Sequence, residues 1–168
     1  MQIVVRKEQT DDIQSIYEVT KAAFLAAPHS SHTEHFIVNA LREAGALSVS
    51  LVAEYQSNII GHVAISPVSI SDGANDWYGL GPISVHPEHQ QQGIGSKLMK
   101  AAIQELKAIN AGGCVLLGDP NYYQRFGFAP KAELVLKDVP AEYFQTLLLQ
   151  RELPQGFVTY HEAFFAES

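Results

Sequence analysis

Cysteine is almost missing: Cys114 is the only one in 168 residues, which excludes an intrachain disulfide and leaves no mark of an oxidising compartment. Basic residues are also scarce. Lys and Arg number 11 against 18 Asp and Glu, and the resulting formal charge of −7 is opposite to what a nucleic-acid backbone selects. Long apolar runs are lacking too. Stretches such as Ala22 to Ala27 are core-sized, far short of a bilayer span, so no membrane partner is expected. Arg6, Lys7, Glu8, Asp11 and Asp12 break up the N-terminal stretch, which therefore does not read as a secretory apolar region, and the cytoplasm is the expected location. No repeat, linker or low-complexity segment divides the chain. With 46% apolar residues, it reads as a single domain over 1–168 with one sizeable core.

Periodicity supplies the elements. Ile3 to Val5 predicts a strand, and Thr10-Asp11-Asp12 opens a helix with acidic residues in its first turn. Ile13, Ile16, Tyr17, Thr20, Phe24 and Ala27 recur at helical spacing until Pro28. A second helix follows from Phe36 or Ile37 through Ala40, Leu41 and Ala44, with Gly45 as its C-terminal cap. Leu47 to Ala53 and Ile59 to Ser66, joined by Gln56-Ser57-Asn58, form an antiparallel hairpin. The next strand, Tyr78 to His86, contains Gly81-Pro82; proline cannot donate to a ladder, so a bulge or an edge is expected. Ile94, Leu98, Ala102, Leu106 and Ile109 form the apolar stripe of a helix ended by Gly112-Gly113. Cys114 to Leu117 is wholly apolar, as a central strand would be. Asp119-Pro120 starts a short helix, and Tyr143 to Leu149 and Gly156 to Tyr160 read as two final strands around the Pro154-Gln155-Gly156 turn. The sum is a mixed α/β sheet.

The run Gln90-Gln91-Gln92-Gly93-Ile94-Gly95 joins a strand to a helix. Two glycines let the backbone turn tightly, so several N–H groups converge where the helix presents its positive end. An anion is expected there, and such loops serve dinucleotides, nucleoside triphosphates and coenzyme A alike. A dinucleotide oxidoreductase would use Gly93 and Gly95 with Asp119 on the ribose. Against it, Leu98 occupies the third glycine position, Pro87 separates strand from loop, and three strands precede the unit.

A second segment, Tyr122-Tyr123-Gln124-Arg125-Phe126-Gly127-Phe128, follows after one helix and one strand. Together with Gln90, Gly93 and Gly95 it resembles the paired motifs of the GNAT superfamily of acyl-CoA-dependent N-acetyltransferases. Leu117-Gly118-Asp119-Pro120 and Tyr160-His161-Glu162-Ala163-Phe164 are similar to the YhbS-type group within it. The resemblance covers essentially the whole chain. It implies an α/β (α+β) fold with a mixed, mostly antiparallel central sheet flanked by helices, and a splayed, bulged strand pair that takes acyl-CoA. Acetyl-CoA would be the co-substrate, with no metal. A primary amine on an unidentified acceptor, small molecule or protein, would attack directly in a ternary complex, and a homodimer is one candidate assembly. A non-catalytic acyl-CoA-binding module would keep the same cradle without the chemistry.

The resemblance also implies roles. Gln90 would belong to the phosphate motif, and N–H groups of Gln91, Gln92, Gly93, Ile94, Gly95 and Ser96 would meet the pyrophosphate. Backbone groups of Ile83 and Val85 would pair with the pantetheine, and the Val85 N–H would polarise the thioester carbonyl. Tyr123 would protonate the leaving thiolate, with Tyr122 as its packing partner. Asn121 is assigned to the cofactor site, although Asp119-Pro120-Asn121 compresses a longer helix of other members. Glu54, His62, His86, Glu88 and His161 are the candidates for a general base. His32, Glu34 and His35, and His86, Glu88 and His89, fit no standard zinc spacing, and Cys114 in its apolar strand reads as packing. Loops around His29 to His35 and Ser71 to Asp76 would shape the acceptor pocket.

Overall fold

The computed structural model describes residues 2–28, 30–150 and 152–168; His29, at the start of the His/Ser-rich loop, lies outside them. β1 (Val4–Lys7) leads through a short 3-10 turn into α1 (Ile13–Leu25) and then α2 (Glu34–Glu43). β2 (Val49–Tyr55), β3 (Asn58–Ile70) and β4 (Trp77–Val85) follow as an antiparallel meander. α3 (Ile94–Ala108) crosses over to β5 (Gly113–Leu117), which pairs parallel to β4. α4 (Pro120–Tyr123), β6 (Leu134–Val135), β7 (Phe144–Leu148) and β8 (Gly156–Tyr160) complete the chain. The main strand order is β1-β2-β3-β4-β5-β7. No helix among the described residues is long and apolar enough to cross a membrane.

Alternation along β2 and β3 sorts side chains onto two faces. On one, Val49, Leu51, Ala53, Val63 and Ile65 meet the α3 stripe of Ile94, Leu98, Met99, Ala102 and Leu106, all buried. On the other, Val52 packs beneath Ile16 of α1 and Val38 of α2. Where β4 and β5 begin, that second face is covered by strand instead of helix: Trp77 and Val115 pack with Leu134, Phe144 and Val158.

Two local signals work as expected. Gln56 and Ser57 both take positive φ (49° and 66°) between the paired Tyr55 and Asn58, the two-residue turn that suits a twisted hairpin. Gly45 has φ 69°, and the Ala46 N–H reaches back to the Leu41 carbonyl to close α2.

Two others are corrected. The last strands do not form a hairpin: β7 pairs antiparallel with β5, whereas β8 pairs with the far end of β3 (Val68↔Tyr160) and parallel to β6, a strand too short to show a period. An Asp72 carboxylate that accepts from the Gln155 N–H (3.0 Å), and a Ser71 hydroxyl that accepts from the Phe157 N–H (2.8 Å), tie β8 there. Nor do Gly112 and Gly113 cap α3. Asn110 takes the left-handed turn (φ 59°), and the glycines clear space for Trp77, whose indole a Cβ at Gly113 would overlap.

Candidate active site

The site grows from one interruption. Ile65 pairs with Leu80 and Val63 with Ile83, so β4 carries one residue more than β3 across Gly81-Pro82, which is the bulge expected there. The parallel β4–β5 ladder runs only from Trp77↔Gly113 to Gly79↔Val115 and then stops. Beyond it the two strands diverge. The His86 N–H donates to the Ile60 carbonyl at 2.8 Å, so by alternation the backbones of Ile83 and Val85 face away from β3 and into the gap. The Val85 carbonyl is taken: the Gln90 side-chain amide donates to it at 3.1 Å. Gln90 thus pins the end of β4 to the loop after it, a contact that the motif alone does not reveal.

The loop then turns into α3. Gln91 has φ 65°, and Gly93, the residue capping α3, has φ 80°, a left-handed conformation natural to glycine. Gln91, Gln92 and Gly93 are exposed, Gly95 and Ser96 are partly so, and the Ile94 side chain is buried in the core. The first N–H groups of this 15-residue helix therefore open onto solvent beside the gap.

Across the gap stands α4. Asp119 accepts from the Asn121 N–H at 2.9 Å and Pro120 occupies the first helical position, as the local sequence anticipates. Asn121 is exposed on this first turn. The Tyr123 ring lies on Gly118 so closely that a Cβ there would overlap it. Tyr123 also meets Phe128 edge-on at 6.3 Å between ring centroids. Burial, reinforced by Tyr122 and Asp119, pushes the Tyr123 phenol up to about 12, so it keeps its proton throughout the neutral range. Tyr122 packs edge-on against Tyr123 at 4.9 Å, as expected, and does more: its Oη lies 3.4 Å from where a Cβ of Gly95 would stand, at the mouth of the loop.

Four of the five general-base candidates already have a hydrogen-bond or ion-pair partner. His62 is fully buried and pushed down to about 4 by burial; its Nε2 meets the Ser50 hydroxyl at 2.8 Å. His86 and His161 each use Nδ1 to accept a backbone N–H two residues on, from Glu88 and Ala163. Glu54 pairs with Arg6 at 3.1 Å. Glu88 is exposed. Cys114 is buried and its thiol raised beyond the physiological range by burial, in keeping with a packing role. Among the described residues, no group of three His, Cys, Asp or Glu side chains is placed to hold a metal ion.

A bulged strand that parts from its parallel neighbour beside a glycine-rich helix start defines a family. The model described as an acetyltransferase (GNAT) domain matches residues 46–130, half of the chain, and the chain belongs to the GNAT acetyltransferase family. The dinucleotide oxidoreductase alternative falls with this fold, since in the main sheet only β4 and β5 run parallel. The curated Escherichia coli K12 protein YhbS, described as an uncharacterized N-acetyltransferase, is 36% identical over 107 residues, 63% of this chain and 64% of its own length. The alignment thus spans under two thirds of that relative.

Solved structures extend the likeness. A GNAT family acetyltransferase from Brucella melitensis, in complex with acetyl-CoA, is 47% identical with a TM-score of 0.86, covering 97% of this chain and 98% of that one. The E. coli YhbS structure, in complex with CoA, is 30% identical with a TM-score of 0.90, covering 100% of this chain and 94% of that one.

Proposed function

We propose that the protein transfers an acetyl group from acetyl-CoA to a primary amine. The observation that carries this reading is the early end of the β4–β5 ladder, which leaves the Ile83 and Val85 backbones facing a gap that opens at the α3 start. Coenzyme A matches that shape: an extended arm that pairs with a strand edge, ending in a diphosphate suited to a helix N-terminus. The relatives solved with acetyl-CoA and with CoA support the same ligand.

In this reading the N–H groups from Gln91 to Ser96 bind the diphosphate, with Gln90 holding the loop to Val85. The amine nitrogen attacks the thioester carbonyl carbon, the carbon–sulfur bond breaks, and an amide forms. Backbone N–H groups on the β4 edge stabilise the oxyanion. By family position this role falls to the Val85 N–H, beside that of Ile83. Tyr123, protonated and beside Gly118, gives its proton to the departing sulfur; the amine's proton leaves to solvent or a base. The acceptor is an amine in a small molecule or a protein.

Tyr123→Phe tests the assignment. Coenzyme A affinity is expected to stay within about twofold, while kcat, followed by thiol release, falls about 10² to 10⁴-fold. Unchanged turnover would remove the acid role from Tyr123, and CoA binding with no turnover on any amine would favour a binding module.

A further inference from the structure

The loop and α4 share a feature that the transfer chemistry leaves unused. Arg125 stacks its guanidinium over the Tyr122 ring, 4.6 Å from the ring centroid, and the same ring carries its hydroxyl to the mouth of the loop at Gly95. The cation is therefore held by a platform that also borders the anion site. Among the described residues Arg125 has no carboxylate partner, whereas Arg6 and Arg42 are both paired. In a chain carrying 18 acidic residues against 11 basic ones, an exposed and uncompensated arginine fixed at this place is a feature with a ligand's charge in mind. Stacking leaves the N–H fork of a guanidinium available for a phosphate, because cation–π contact uses its face and hydrogen bonding its edge.

We infer that Arg125 binds the 3′-phosphate of coenzyme A and sets a preference for the full cofactor over forms lacking that group. The inference rests on the coenzyme A reading of the site. The cradle's backbone N–H groups are matched to the diphosphate, and Arg125 stands over the face of the Tyr122 ring whose hydroxyl borders them. The phosphate left for it is the one outside the diphosphate. Lys97 is the other exposed cation near the loop, but it lies one turn into α3 with no ring to fix it.

Calorimetric titration of the full chain with CoA and with 3′-dephospho-CoA tests this, using wild type, Arg125→Ala and Arg125→Lys. Wild type is expected to bind CoA more tightly. Arg125→Ala should weaken CoA by about tenfold and leave dephospho-CoA unchanged, so that the preference disappears. Arg125→Lys, which keeps the charge without the fork, should fall between. Equal losses for both ligands would move Arg125 to the diphosphate and overturn the inference, as would no loss for either. Wild-type protein that binds neither ligand would overturn the coenzyme A reading itself, and this inference with it.

Discussion

The Tyr123 ring rests on the backbone of Gly118 with no room for a methyl group between them. Gly118→Ala must therefore push the phenol from its place while leaving the loop around Gly93 intact. If Tyr123 acts as the acid, kcat should fall about hundredfold with CoA affinity preserved, the result of moving a reacting group by about an ångström. Far-ultraviolet circular dichroism alongside the kinetics separates displacement from unfolding. The pH profile is a second residue-scale test. Burial raises this phenol to about 12, which keeps the acid form present below that value and loses it only above. The rate should show no alkaline decline from Tyr123 up to about pH 10. A decline centred near pH 9 that vanishes in Tyr123→Phe would contradict the environment described. Tyr123 is legible in the sequence through its motif; Gly118 is not, because the need for a missing side chain appears only once the ring folds onto it.

At the scale of elements, strand end, loop and helix start act as one piece. Gly93 sits at φ 80°, where a β-branched residue is strained by roughly 1–2 kcal/mol. Gly93→Val should raise the CoA dissociation constant about tenfold by reshaping the N–H array, with a melting temperature that falls by only a few degrees. An unchanged affinity in titration would show that the loop does not cradle the diphosphate. Hydrophobic spacing was enough to locate α3 and the β2–β3 hairpin, because one face of each is buried and the other is not. It misread Gly112-Gly113 as a helix stop, since the residue that demands them, Trp77, lies 35 positions earlier in the chain. The separation of β8 from β7 was hidden for a similar reason: the Asp72 and Ser71 contacts that hold β8 come from a distant turn.

For the molecule as a whole, one partly buried network around the fully buried His62 makes stability depend on pH. Arg42 grips both oxygens of Glu8 at 2.6 and 3.0 Å, Ser50 donates to Glu8 at 2.7 Å, and Ser50 contacts His62 under α1 and α2. Burial opposes the Glu8 charge, but Arg42 and Ser50 outweigh it and hold the carboxyl below its usual range. His62 moves from an ordinary 6.5 to about 4 because burial penalises its cation. Unfolded chain therefore takes up a proton between those values that the folded chain refuses. Stability is full above pH 6.5 and should be lost as pH falls toward 4, by ~3 kcal/mol for this residue alone. Urea unfolding at intervals across that range checks it: His62→Gln should flatten the slope, and a wild-type protein as stable at pH 4.5 as at 7 would refute the prediction.

What the sequence by itself determined is what local rules carry. Periodicity set the helices and most strands, glycine and proline set the turns and the bulge, and two spaced motifs named the family. Tertiary structure alone decided where β4 leaves β5, that Gln90 holds the Val85 carbonyl, that Arg125 stacks on the Tyr122 ring beside the loop, and that His62 is sealed from solvent. The reason is physical. Each of these depends on residues far apart in the chain meeting at contact distance, and burial, charge and hydrogen bonding act through distance in space.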